Sequence, residues 1–263
     1  KGIPEIHKSQ GKLSALKKML GNKLPQGNTG IGHTRWATHG GTTDSNAHPH
    51  TDCKDNVVVV HNGIVENFIE LKKELESEGH TFESQTDSEC IPHLIETYMD
   101  RDYSLEEAIR KTAGRLRGAH AVVAIHTQLS GDMVAFRIGN AGGIVVGYGN
   151  TEMFLSSDLP AVLPYTSKVA YLSGGELVYL SKHKASYTNL NGDPVQKQIS
   201  DVPDETISAA KGEYEHFMLK EIHEQPEAVI YTMRGRVSFD PPNVSMDGFN
   251  LSDKIIRNTN RIV

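Results

Sequence analysis

From Ala121 onward the hydrophobic period shortens from helical spacing to that of strands, and no other feature constrains the fold as much. Residues 121–125, 133–138, 144–148 and 153–155 are short β-rich runs separated by Gly, Asn and Ser turns. Residues 169–172 and 177–180 extend the series and predict a hairpin around Gly174-Gly175. Strands this closely spaced favour antiparallel pairing.

Helical patterns precede this run. Leu13, Leu16 and Leu20 recur at helical spacing and Gly21 follows as a stop. Residues 66–78 predict a second helix, with Ile69, Leu71 and Leu75 inward and Gly79 at its end. Ile91, Leu94, Ile95 and Tyr98 mark a third, which Thr86 or Asp87 can cap. Ser104 and Glu107 form a capping box for a fourth, closed by Gly118. The valines of residues 57–60 read as a buried strand, ending in an Asn62-Gly63 turn before the second helix. Two adjacent helices between blocks of strands predict an α+β layered domain rather than a doubly wound one.

The composition turns polar over residues 201–211, a domain edge. Tyr214, Phe217, Met218 and Ile222 then predict an amphipathic helix, interrupted at Pro226. A polar, Pro- and Gly-containing linker follows. The domains read as 1–203 and a connecting segment, 204–263.

A net charge of −6 gives no footprint for nucleic acid or an anionic membrane. No apolar run approaches the ~20 residues of a membrane span, and no signal-peptide core is present, so a cytoplasmic location is expected. Cys53 and Cys90 match no zinc or redox spacing.

Chemistry concentrates in residues 29–50, a polar, glycine-rich run expected to follow a short strand at Gly30-Ile31-Gly32. It holds His33, His39, His48 and His50, whose spacing fits no metal motif, so no metal is expected there. Arg35 offers a planar fork for a carboxylate, with Thr38 and His39 as nearby donors; a structural salt bridge is the other reading. Asn62 and Gly63 can form an oxyanion hole or an ordinary turn, and Asp87 can hold an ammonium group or cap a helix.

The segments GHTRWATHG, NAHPH, VVVVHNGIVEN and TDSE, in this order, closely resemble the class II glutaminase domain of the glutamine:fructose-6-phosphate aminotransferase (glucosamine-6-phosphate synthase) family. The later HFMLKEIHEQPEA is similar to that family's link to its sugar-isomerase domain. Amidophosphoribosyltransferases share the plan, but without a Trp after the Arg or the HEQP segment.

The resemblance implies a four-layer αββα N-terminal nucleophile hydrolase sandwich of two antiparallel sheets, and no cofactor. By the same resemblance, Arg35 and Thr38 bind the α-carboxylate of L-glutamine with His39 beside them, and Asp87 holds its α-ammonium. Asn62 and Gly63 stabilise the tetrahedral intermediate, and Trp36 gates ammonia toward fructose 6-phosphate on the isomerase domain of a homodimeric parent; without the family, Trp36 reads as a buried core aromatic. The family's nucleophile is an N-terminal cysteine whose own α-amine is the base. This chain opens Lys1-Gly2-Ile3, without the family's CGIVG strand or YRGYDSAG motif. It is therefore expected to be a fragment truncated at its N-terminus and inactive alone. A non-catalytic glutamine- or glutamate-binding regulatory module is the alternative.

Overall fold

The computed structural model describes residues 3–21, 25–129, 131–203, 214–234, 236–239, 241–244 and 253–261. By internal contacts the chain divides into two units, residues 1–204 and 205–263.

The valine run organises the first unit. Strand β2 (Val57–Gly63) buries Val57, Val58, Val59 and Val60, as expected of a strand covered on both faces. It pairs antiparallel with β1 (His50–Thr51) and β3 (His120–His126). The sheet continues through β4 (Met133–Ile138), β8 (Glu176–Ser181) and β9 (Lys184–Asn189), giving six strands in the order β1-β2-β3-β4-β8-β9. A second sheet has the order β10-β7-β5-β6, from β5 (Val145–Tyr148), β6 (Met153–Ser156), β7 (Lys168–Tyr171) and β10 (Ser200–Asp201). Every pairing in both sheets is antiparallel.

Three packed clusters define the layers. Helices α2 (Phe68–Ser77), α3 (Cys90–Met99) and α4 (Leu105–Arg115) cover one face of the six-stranded sheet, where Leu71, Ile91, Leu94 and Ile109 meet Val57, Val59, Val122 and Phe136. Between the sheets, Ala135, Val178 and Leu180 meet Ile144, Val146, Ala170 and Leu172. On the far face of the second sheet, Val162 packs on Val145 and Val169 beside the 3-10 turn Leu159–Ala161. The order is helix, sheet, sheet, helical turn.

Several local expectations change. Gly30-Ile31-Gly32 forms no strand. Asn62 and Gly63 do not turn; they end β2, opposite Ala121 and His120. Ile69 points outward, 61% exposed, while Leu71 and Leu75 are buried, because Ile69 lies on the opposite side of α2 from that i,i+4 pair. Residues around Gly174-Gly175 do not make a hairpin: β7 lies in the second sheet and β8 in the first, so the connection crosses between sheets. The cap expected before α3 is replaced by a 3-10 turn, Asp87–Glu89, in which Thr86 makes no side-chain cap. The box at Ser104 and Glu107 forms as expected, each side chain accepting from the other's backbone N–H. Helix α1 (Leu13–Leu20) ends at Gly21 with φ +59°.

In the second unit, helix α5 (Phe217–Met233) runs through Pro226 rather than stopping there, forgoing one backbone hydrogen bond. A short hairpin of β11 (Val237–Phe239) and β12 (Pro242–Val244) and helix α6 (Asp253–Asn258) follow. The polar stretch from 204 to 211 lies outside the described residues. No helix among the described residues is long and apolar enough to cross a membrane.

Candidate functional site

Arg35, Trp36, Thr38, His39, Asn62, Gly63 and Asp87 all line one cavity of about 310 Å³. They come from three separated segments: the loop after α1, the end of β2, and the 3-10 turn that leads into α3. His33, His48, His61, Thr86 and Ser88 complete much of its wall.

Arg35 stands among backbone carbonyls. Its Nη1 donates to Gly41 O (2.8 Å), and Nη2 to Gly40 O (3.3 Å) and, more closely, to His39 O. Three of its five N–H donors are thus spent on its own loop, leaving two. Among the described residues no carboxylate lies within ion-pair distance of it, which disfavours the salt-bridge reading. The cavity wall thus carries a cation without a counter-ion among the described residues.

Asp87 is the matching anion, only 2% exposed. Its Oδ2 accepts from Val65 N (2.6 Å), an interaction that fixes the carboxylate rather than capping α3. Its Oδ1 lies 3.8 Å from His39 Nδ1, beyond hydrogen-bond reach, and that buried nitrogen has no hydrogen-bond partner among the described residues. Burying a carboxylate is costly unless it is paired, so the second oxygen is poised for a donor.

Asn62 is oriented by a histidine. His33 Nε2 donates to Asn62 Oδ1 (2.8 Å), which leaves the Nδ2 amide protons without a partner among the described residues. Gly63, next to it, has φ +138°, and a Cβ there would lie 2.3 Å from Ala119 O. Only glycine fits at that position.

Behind Asn62 runs a buried relay whose polarity can be deduced. His120 Nε2 donates to the Arg117 carbonyl (3.1 Å), so its Nδ1 accepts from His61 Nε2 (3.1 Å). His61 Nδ1 must then accept from the Ser88 hydroxyl (2.9 Å). Burial holds these imidazoles neutral: His61 is pushed down to about 3, and His33 and His120 are also lowered. His48 and His50 pack edge to face in the same region, their ring centres 4.7 Å apart, with the His48 ring also 4.1 Å from that of His33. Desolvation lowers both, His50 to about 4.

Trp36 is 84% exposed at the cavity rim, so it is no core aromatic. Neither cysteine lines this cavity. Sequence reasoning missed the parts of His61, His120 and Ser88, whose partners are set by strand register and by the 3-10 turn. His33 was already conspicuous in the histidine-rich run, but its bond to Asn62 joins segments that sequence spacing does not relate.

Residues 33–163 match a family model described as a glutamine amidotransferase domain. The chain belongs to the glutamine amidotransferase domain family. A solved structure of glutamine phosphoribosylpyrophosphate amidotransferase from B. subtilis, complexed with ADP and GMP, superposes with a TM-score of 0.51 at 21% identity. That match covers 62% of this chain and 35% of the other, and it shows the fold, an N-terminal nucleophile hydrolase sandwich.

Among curated relatives, the glutamine–fructose-6-phosphate aminotransferase (isomerizing) of Symbiobacterium thermophilum is 46% identical over 253 residues, 96% of this chain and 41% of that protein. The protein of the same name from Methanothermobacter thermautotrophicus is 47% identical over 228 residues, 87% of this chain and 38% of its own length. Within the family, then, this chain is the counterpart of the N-terminal glutaminase domain of the glutamine–fructose-6-phosphate aminotransferases. It spans about two fifths of the length of these relatives.

Proposed function

We propose that the cavity binds L-glutamine, and that the parent enzyme hydrolyses it to glutamate and passes the ammonia to fructose 6-phosphate, making glucosamine 6-phosphate. The observation that carries this reading is the presence, in the wall of one cavity of about 310 Å³, of an Arg35 without a counter-ion among the described residues and a buried Asp87, with Asn62 and Gly63 also in that wall. An amino acid carries the complementary pair, and its side-chain amide needs an oxyanion donor.

Arg35, with its two remaining N–H groups, and Thr38 would take the α-carboxylate, with His39 beside them. Asp87 Oδ1 would take the α-ammonium. Asn62 Nδ2, turned toward the substrate by His33, and the Gly63 backbone would donate to the oxygen that becomes negative when the amide carbon turns tetrahedral. The nucleophilic thiol of this chemistry adds to that carbon, its proton passing to the departing ammonia, and water then releases glutamate from the thioester. Neither Cys53 nor Cys90 lines the cavity to supply that thiol. Trp36 at the rim would gate the ammonia route. The domains divide at about residue 203, the second segment leading toward the isomerase domain of a homodimeric parent.

Calorimetric titration of the 263-residue chain with L-glutamine tests the reading. Binding is expected, weakened by roughly 10-fold or more in Arg35→Ala and in Asp87→Asn, since a hydrogen bond to a charged group contributes about 1.5–3 kcal/mol. No glutamate should be released by the chain alone. Failure to bind, or equal binding by both variants, would sink the assignment of the cavity; glutamate release abolished by Arg35→Ala would refute inactivity of the isolated chain.

A further inference from the structure

A second cluster of reactive side chains lies outside the cavity. Cys53 sits in the turn between β1 and β2, His80 follows the end of α2, and His93 and Glu96 share one face of α3 at i,i+3 spacing. Their ligand atoms all lie within 4.8 Å of one another. Cys53 Sγ is 3.6 Å from His80 Nδ1 and 3.5 Å from His93 Nδ1, while Glu96 Oε2 is 3.1 Å and 3.7 Å from the same two nitrogens.

These lengths are four of the six edges of a four-ligand site. With zinc–sulfur bonds of about 2.3 Å and zinc–nitrogen or zinc–oxygen bonds of about 2.05 Å, a tetrahedron has S···N edges of about 3.5 Å and N···O edges of about 3.3 Å. The four observed separations scatter around those values.

Proton placement points the same way. The Thr97 hydroxyl donates to His93 O (3.0 Å), so it must accept from His80 Nε2 (3.0 Å). With its proton on Nε2, a neutral His80 turns the lone pair of Nδ1 toward the Glu96 carboxylate and the Cys53 sulfur. Facing lone pairs at 3.1 Å require a proton or a metal cation between them. The outer contacts also fit: Thr81 N–H donates to Cys53 Sγ (3.4 Å), and Cys53 N–H donates to Glu96 Oε2 (3.2 Å). Lys54 Nζ approaches the other carboxylate oxygen, Oε1 (3.4 Å), leaving Oε2 to act as a single-oxygen ligand. His93 is 1% exposed and its Nε2 has no hydrogen bond among the described residues, with Glu89 Oε1 3.8 Å away as its outer carboxylate.

We propose that Cys53, His80, His93 and Glu96 are a tetrahedral binding site for a divalent metal of the zinc class. One thiolate, one carboxylate and two neutral imidazoles balance a divalent cation. Thiolate with imidazole nitrogen selects zinc over magnesium or calcium. Four protein ligands leave no open position, so the site is structural. It ties the β1–β2 turn and the chain after α2 to α3, the helix entered through the 3-10 turn that carries Asp87. Cys53 is exposed, which gives the metal its way in, and binding releases the thiol proton to solvent.

The test uses the 263-residue chain without a histidine tag, stripped with chelator and titrated with cobalt(II). One ion per chain is expected, with a thiolate-to-cobalt charge-transfer band and the visible bands of tetrahedral cobalt, both abolished by one equivalent of zinc. Zinc should also raise the melting temperature and slow alkylation of Cys53. Cys53→Ser should lose the charge-transfer band and bind zinc at least about 100-fold more weakly, beyond the range for outer-shell changes. An octahedral cobalt spectrum in the unaltered protein, no zinc protection of Cys53, or a charge-transfer band that survives Cys53→Ser would each overturn the proposal. Protection against alkylation is read on the unaltered chain, so the answer does not hang on the variant folding.

Discussion

Gly63 and Gly79 both have positive φ, yet they carry different burdens. A Cβ on Gly79 would meet nothing within 4 Å, whereas one on Gly63 would strike Ala119 O at 2.3 Å and His61 Nε2 at 2.8 Å. Gly79→Ala should therefore cost about 1 kcal/mol, the backbone penalty alone. Gly63→Ala should cost more than ~2 kcal/mol, because the strand seam has to open as well. Urea unfolding of the two variants checks this, and equal losses would refute it. The sequence made these residues conspicuous for a different reason: Asn-Gly reads as a turn, while here it is a strand end pressed against its neighbour. Arg35, Asn62 and Asp87 were legible as chemical types and, through the resemblance, as members of one pocket. Cys53 and His80 were not legible as ligands, because only His93 and Glu96 of that group are close in sequence.

At the scale of elements, what is local was readable. Ser104 and Glu107 specify the start of α4 through contacts within a few residues, and the box forms. Ser104→Ala should lower stability by about 1 kcal/mol in urea unfolding, with little effect on ligand binding in the cavity. A loss within error would show that α4 is fixed by packing of Leu105, Ala108 and Ile109 alone. The strands from β3 to β8 were also readable, since period and turn residues define each one, whereas β9 and β10 were not read from the sequence. Their partners were not: Gly174-Gly175 has the composition of a hairpin loop, but β7 and β8 belong to different sheets because Val169 and Ala170 are buried with the second sheet and Leu177 and Val178 with the first. Pro226 misled in the opposite sense, since a helix can lose one hydrogen bond and continue.

Across the first unit, the buried imidazoles give stability a pH dependence. His50 and His61 are held at about 4 and about 3 by burial, against an ordinary value of 6.5. Below pH 6.5 the unfolded chain takes up protons that the folded one refuses, so stability is complete above that value and falls as pH drops toward 4. Each group contributes up to about 1.4 kcal/mol per pH unit in that interval. His93, raised by Glu89 and Glu96 despite its burial, has the opposite sign but acts only above 6.5. Glu89 and Glu96, held at about 2, act only below about 4.5. The urea midpoint should therefore decline steeply from pH 6.5 to 4.5, and a flat profile there would refute the neutral relay.

The crossing between sheets also sets a timetable. β5 and β6 are joined by a short turn and can pair early, but β4 finds β8 only after β5, β6 and β7 have gone by, and β2 finds β3 only across three helices. Such long-range closures are slow, because their loop entropy is lost before any contact repays it. Asn62 and Gly63 sit on the β2–β3 seam. A refolding chain therefore acquires its helices and the β5–β6 pair before it acquires a place for a ligand, and ligand binding during refolding reports the zipping of that one seam.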